Sequence, residues 1–167
     1  MARKDISMTA EEVTAFLNEI SILQVATIGR DGAPHLAPMW FVMEGDTIVF
    51  RSFSRSQKIV NLERDPRLTV LAEDGDVYAE LRGVMIKGEA RLVDDPDYVL
   101  ALYGRLAAKY TLIGDGPVEL TEEELEAAFC RAASKNTADI EDPNAVESWD
   151  HRKIGGGSGA ARSPVLA

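Results

Sequence analysis

Hydrophobic and polar positions change period several times along the chain, and each change marks a new element. Thr9 and Glu12 fit a capping box, and Val13, Phe16, Leu17 and Ile20 then recur at helical spacing, which predicts a first helix with one buried face. Ile22 to Ile28 is a short apolar, β-branched run closed by Gly29-Arg30-Asp31-Gly32, the pattern of a strand and hairpin turn. Pro34 to Met43 reads as a second strand before Glu44-Gly45-Asp46, and Thr47 to Ser52 as a third, with Ile48 and Phe50 set against Thr47, Val49 and Arg51.

Gln57 to Arg64 reads as a short helix before Pro66, and Leu68 to Ala72 returns to strand up to a turn at Asp74-Gly75. Val77, Ala79 and Leu81 alternate with polar positions, as do Val84, Ile86, Gly88 and Ala90, which predicts two further antiparallel strands. Asp95 and Pro96 suit an N-cap and first helical position, with Val99, Leu102, Tyr103 and Leu106 as the buried stripe. A third long helix is expected from Thr121 and Glu124, burying Leu125, Ala128, Phe129 and Ala132. Six closely spaced strands with short turns favour a closed or nearly closed barrel, because closure removes exposed edges, and the inserted helices make the class α+β. Residues 1–154 are read as one domain, and the Gly-rich stretch 155–167 as a flexible tail; no internal repeat is found.

Composition narrows the functional classes. The 167 residues carry 18 Lys and Arg against 28 Asp and Glu, a net charge of -10 that opposes attraction to nucleic acid or an anionic membrane, so an anionic ligand needs a local basic pocket. Cys130, the only cysteine, reads as an inert buried thiol between Phe129 and Ala132. His35 and His151 are the only histidines and have no clustered ligands beside them, so no metal site is expected. The start of the chain lacks a signal-peptide core and no run reaches membrane-spanning length, which makes the cytoplasm the expected compartment.

Against this acidic background, Arg51-Ser52-Phe53-Ser54-Arg55-Ser56-Gln57-Lys58 crowds three cations and three hydroxyls into a strand-to-helix passage. Guanidinium forks, an ammonium, hydroxyls and free helix N–H groups together suit a phosphate. The segment also reads as a solvated basic turn balanced by Glu63 and Asp65, and spacing does not choose between the two. Taken singly, Trp40 and Phe41 read as barrel core, His35 as a structural histidine, and Trp149 and Arg152 as parts of a capping strand and a solvated charge run.

Further motifs are Ala26-Thr27 with Gly32-Ala33-Pro34-His35, Pro38-Met39-Trp40-Phe41, and Asn61-Leu62-Glu63-Arg64-Asp65-Pro66-Arg67. With the basic segment they resemble the pyridoxamine 5'-phosphate oxidase-like split-barrel flavoproteins, especially their deazaflavin-dependent branch, from about Thr9 to Lys153. The resemblance implies a split β-barrel homodimer with two cofactors at the subunit interface. It implies that Ser52, Arg55, Ser56 and Lys58 bind the cofactor phosphate, and that Ala37, Pro38, Met39 and also Trp40 border its ring. Trp149 and Arg152 are implied to lie near the pocket, in some relatives across the dimer. The implied activity is hydride transfer from a deazaflavin, coenzyme F-420, to a small conjugated or aromatic substrate, with no catalytic side chain required. FMN is the alternative cofactor, in an FMN-dependent oxidase or reductase, and a noncatalytic flavin or haem carrier is the reading from another class. Oxidation of pyridoxamine phosphate is less favoured, because that enzyme's C-terminal substrate-binding pattern has no counterpart in the Gly-rich end after Lys153.

Overall fold

The computed structural model describes residues 5–111 and 135–154. In chain order these form α1 (Ala10–Glu19), β1 (Leu23–Ile28), β2 (Pro34–Met39), β3 (Phe41–Glu44), β4 (Thr47–Phe53), α2 (Gln57–Arg64), β5 (Arg67–Asp74), β6 (Arg82–Val93), α3 (Pro96–Thr111) and β7 (Lys135–Asp150). One antiparallel sheet carries all seven strands in the order β2-β1-β5-β6-β7-β4-β3. Its two end strands, β2 and β3, are separated in the chain by Trp40 alone. Two peptide steps span at most about 7 Å, so the sheet has to roll until its edges meet. The result is the α+β split barrel, open along a seam beside Trp40. The single strand expected over Pro34 to Met43 is therefore two, which pair with different neighbours.

The barrel is filled from both ends of the sequence pattern. Leu23, Val25, Phe41, Ile48, Phe50, Leu68, Val70 and Val84 point inward, while Phe16 and Leu17 of α1 are buried against this core. The expected capping box is present, with the Thr9 hydroxyl accepting from Glu12 N–H and Glu12 accepting from Thr9 N–H. Val49 turns away from Ile48 and Phe50 but does not reach solvent, because Leu102 and Leu106 of α3 cover it together with Val42. Asp95 caps α3 as expected, accepting from Asp97 N–H at 2.9 Å and Tyr98 N–H at 3.3 Å.

At the seam, the β1–β2 register ends at Leu23 opposite Met39, and its next hydrogen-bonding rung would set Ser21 against Phe41. The Tyr110 hydroxyl of α3 stands in place of that rung. It accepts the Phe41 N–H at 2.8 Å and donates to the Ser21 carbonyl at 2.7 Å. Beside it the Lys109 ammonium sits 3.8 Å above the Phe41 ring centroid and donates to the Leu17 carbonyl at 3.3 Å.

Three further sequence expectations are corrected. Val77 to Leu81 is not a strand but a turn of 3-10 helix, Tyr78–Glu80. Gly75 takes a left-handed φ of 112°, folding the chain so closely that a Cβ there would lie 2.7 Å from the Glu80 carbonyl. Trp40 is not core: it is 58% exposed and outside the barrel, whereas Phe41 is fully buried. Lys135–Asp150 forms the long strand β7, only the end of which was anticipated. The expected helix from Thr121, Cys130 and the tail 155–167 lie outside the described residues.

Two stability predictions follow from the seam. Tyr110→Phe removes the bridge while keeping the ring, and is expected to lower the unfolding free energy by about 1–3 kcal/mol in urea titrations. Burial lowers the Lys109 pKa to about 8, against an ordinary lysine value of 10.5. Between those values the unfolded chain holds a proton that the folded one has released, so wild-type stability should rise with pH from about 8 to 10.5 relative to Lys109→Met. Chemical denaturation of both proteins across that range checks the sign.

Candidate cofactor site

The basic segment folds into a cluster rather than a row of solvated charges. Ser52 ends the inward-facing series of β4 and is 7% exposed; its hydroxyl lies 2.9 Å from that of Ser56. Lys58, in the first turn of α2, donates to the Ser52 hydroxyl at 3.1 Å. Among the described residues this half-buried ammonium has no carboxylate partner, and burial alone holds its pKa below the ordinary lysine value. Its remaining N–H donors, two hydroxyls and the uncapped N-terminus of α2 make a set that fits an anion with several acceptor oxygens. Arg55 is exposed on the preceding turn.

Helix α2 is fixed to the barrel by polar contacts. Asn61 is fully buried; its amide donates to the Thr27 hydroxyl of β1 at 3.0 Å and accepts from Gln57 at 2.8 Å. Arg64 donates to the Ile28 carbonyl, closing the far end of the helix on the same strand. Neither Asn61 nor Thr27 was marked by sequence as part of the site, although both lie within the motif segments; their spacing of 34 residues carries no local signal.

The candidate ring wall lies next to this cluster. Phe41 opposite Phe50 is the last rung of the β3–β4 ladder, and one residue before it, at Trp40, the chain has left β2. In β2 the positions Leu36 and Pro38 are exposed, while His35, Ala37 and Met39 are half-buried. β2 is bonded to β1 on one side only, and Pro38 therefore sits on an edge, where its missing N–H breaks no central ladder. Helix α2, which carries Lys58, packs against β1 and β2, so the cluster and the open edge of β2 lie on neighbouring elements. A separate cleft of about 760 Å³, lined by Met8, Val13, Leu17, Met43, Ile48 and Ile86 among others, includes none of these residues.

Residues 9–152 match the pyridoxamine 5'-phosphate oxidase family. The chain belongs to that family. A conserved hypothetical protein from Mycobacterium tuberculosis has a solved structure that is 35% identical, covering 98% of each chain with a TM-score of 0.81. At lower identity the same fold occurs in an F-420 reductase (23% identical, 79% of this chain and 93% of that one, TM-score 0.60). It also occurs in a heme storage protein from Vibrio cholerae (13% identical, 84% and 96%, TM-score 0.62). No curated protein matches the sequence. Among the described residues no helix is long and apolar enough to cross a membrane, and no group of His, Cys, Asp and Glu could hold a metal ion.

In this member of the pyridoxamine 5'-phosphate oxidase family, the C-terminal candidates lie far from the basic cluster along β7. Ser52 pairs with Asn136, and Gly83 with Trp149, 13 residues further along the strand. At about 3.3 Å per residue that is roughly 40 Å of strand path. Trp149 packs over Gly83 so closely that a Cβ there would overlap its ring. Arg152 is engaged too, pairing with the buried Asp150 at 2.6 and 2.9 Å and holding that carboxyl below the usual range. Ser52, Ser56 and Lys58 are hydrogen-bonded as one cluster, whereas Trp149 is packed on Gly83 and Arg152 is paired with Asp150.

The Asn61 contact is testable. Thr27→Val leaves a buried amide without its acceptor, and about 1–3 kcal/mol of stability should be lost. Thermal unfolding checks the loss, and hydrogen exchange should show α2 opening more often than the strands.

Proposed function

We propose that this chain is an oxidoreductase that binds a deazaflavin, coenzyme F-420, and uses it to reduce a small conjugated or aromatic substrate. The observation that carries this reading is the half-buried Lys58 ammonium, without a carboxylate partner among the described residues, beside the open edge of β2. When bound, the deazaflavin supplies the hydride, and a proton from solvent completes the reduction. The protein's part is to bind and orient: Ser52, Ser56 and Lys58, with Arg55 at the rim, hold the phosphate, and Ala37, Pro38 and Met39 border the ring. No side-chain nucleophile is called for.

Deazaflavin is preferred to FMN because the Pro38-Met39-Trp40 and Arg55-to-Lys58 pattern resembles the deazaflavin branch, and an F-420 reductase shares the fold. FMN remains the second reading, since Lys58 and its hydroxyls would serve any flavin phosphate. The heme storage protein with this fold keeps a carrier role as the reading from another class. Separate fluorescence titrations with deazaflavin and FMN distinguish the first two; stoichiometric FMN that deazaflavin cannot displace would overturn the cofactor assignment. Turnover with reduced cofactor separates enzyme from carrier.

We also propose a homodimer. Trp149 pairs 13 residues along β7 from the partner of Ser52, and the family resemblance implies that this C-terminal segment lies near the pocket, in some relatives across the dimer, which supports a pocket completed by a second copy. Light scattering at assay concentration reads the state directly, and a monomer with full cofactor affinity would contradict it.

Lys58→Ala is expected to weaken deazaflavin binding about ten- to a hundred-fold, because a charge-assisted contact contributes about 1.5–3 kcal/mol. Lys153 provides the contrast. It donates to the Ser7 carbonyl at 2.6 Å and pairs with Glu12, strapping the N-terminal segment to the end of β7. Lys153→Ala should lower thermal stability and leave affinity nearly unchanged. Isothermal titration and ligand-free unfolding of both variants measure the two effects; equal affinity in Lys58→Ala and wild type would return that residue to a solvated turn.

A further inference from the structure

Trp40 combines exposure with a fixed orientation. Its indole stacks on the Tyr110 ring, with centroids 4.4 Å apart and planes 11° from parallel, yet the residue remains 58% exposed. Tyr110 is itself held by the hydrogen bonds that bridge Ser21 and Phe41. An exposed tryptophan side chain ordinarily samples several rotamers, and stacking on an immobilised ring removes that freedom before any ligand arrives. One face of the indole is covered and the other is presented at the seam. Exposure alternates through β2 into this residue, with Leu36, Pro38 and Trp40 exposed, so the platform continues the open face of β2 on the α3 side of the seam.

We infer that the free face of Trp40 is a substrate-binding surface that selects flat, conjugated molecules by stacking. This rests on the proposed redox function for the identity of the ligand as a substrate, but not for the stacking itself. A planar π-system gains contact over the whole indole face, whereas a puckered saturated ring touches it at a few atoms. Trp40 would thus be a specificity-determining residue, and Tyr110 a positioning residue acting through it.

The test uses coumarin, a small planar unsaturated lactone, and cyclohexanone as a saturated control, each with and without deazaflavin. Trp40 emission is taken as the difference between wild type and Trp40→Phe. Coumarin should quench that emission and bind Trp40→Ala on the order of ten-fold more weakly, with Trp40→Phe intermediate. Cyclohexanone should bind both variants alike. Coumarin affinity indifferent to Trp40, in free and cofactor-loaded protein, would overturn the inference. So would emission shielded from iodide in a dimer, which would make Trp40 a subunit contact. If coumarin binding depends on Trp40 while deazaflavin does not bind, the platform stands and the cofactor reading falls. If deazaflavin binds tightly and coumarin ignores Trp40, the reverse holds.

Discussion

A single hydroxyl group lies at the point on which the barrel's closure turns. The sheet must bring β2 and β3 together because Trp40 alone separates them, yet these two strands do not pair with one another. A seam of this kind leaves backbone groups facing each other without a ladder. The Tyr110 hydroxyl fills the first missing rung, tying Ser21, two residues before β1, to the start of β3 and both to α3. Helix α3 can supply it because Leu102 and Leu106 pack on Val42 and Val49 of the β3–β4 hairpin. Glu44 at the hairpin's end adds a hydrogen bond from Tyr98 and an ion pair with Arg105. Closure, the exposed Trp40 platform and the open edge of β2 are consequences of one geometry.

The same corner shows why a basic segment in a chain of net charge -10 need not be a solvated turn. A lysine in solvent keeps its ordinary pKa, whereas burial lowers that of Lys58 with no carboxylate among the described residues to oppose it. Retaining that arrangement costs stability in the ligand-free protein, and an anion at the cluster would remove the cost. The rigid Asn61–Thr27 contact keeps the cost from being relieved by α2 swinging outward. The Asn61–Thr27 and Arg64–Ile28 contacts hold α2 against β1 at both of these points.

What could be read from sequence follows the range of each signal. The capping box at Thr9 and the Asp95-Pro96 start of α3 are local, and both helices form where they were expected. The seven-residue stretch from Ser52 to Lys58 was legible as chemistry. Its convergence depends on Asn61 reaching Thr27, a contact that composition cannot show. The break at Trp40 comes from the rolling of the sheet; Pro38, two residues earlier, marks an edge strand but does not show where the chain changes partner. β7 was hidden because Lys135–Asp150 contains Pro143 and a high density of acidic residues, features that argue against a central strand. It pairs on both sides nonetheless, with register shifts against β6 at Lys87/Gly88 and Glu89/Ala90 that accommodate the irregularity.

Charge separates the local and global parts of the proposed recognition. A net charge of -10 repels an approaching polyanion at long range, and coenzyme F-420, as the family resemblance implies, carries a polyglutamyl tail as well as a phosphate. At physiological ionic strength such repulsion is screened beyond about 8 Å, while a half-buried ammonium in contact with an oxygen is screened much less. Binding must then be decided within the first contact layer, by Lys58 and its two serine hydroxyls, with exposed Arg55 contributing mainly to approach. Selectivity between deazaflavin and FMN cannot come from that layer, since both offer it a phosphate. It has to arise where the ring lies along β2 and where the tail leaves the corner, and those are the surfaces a second subunit would complete.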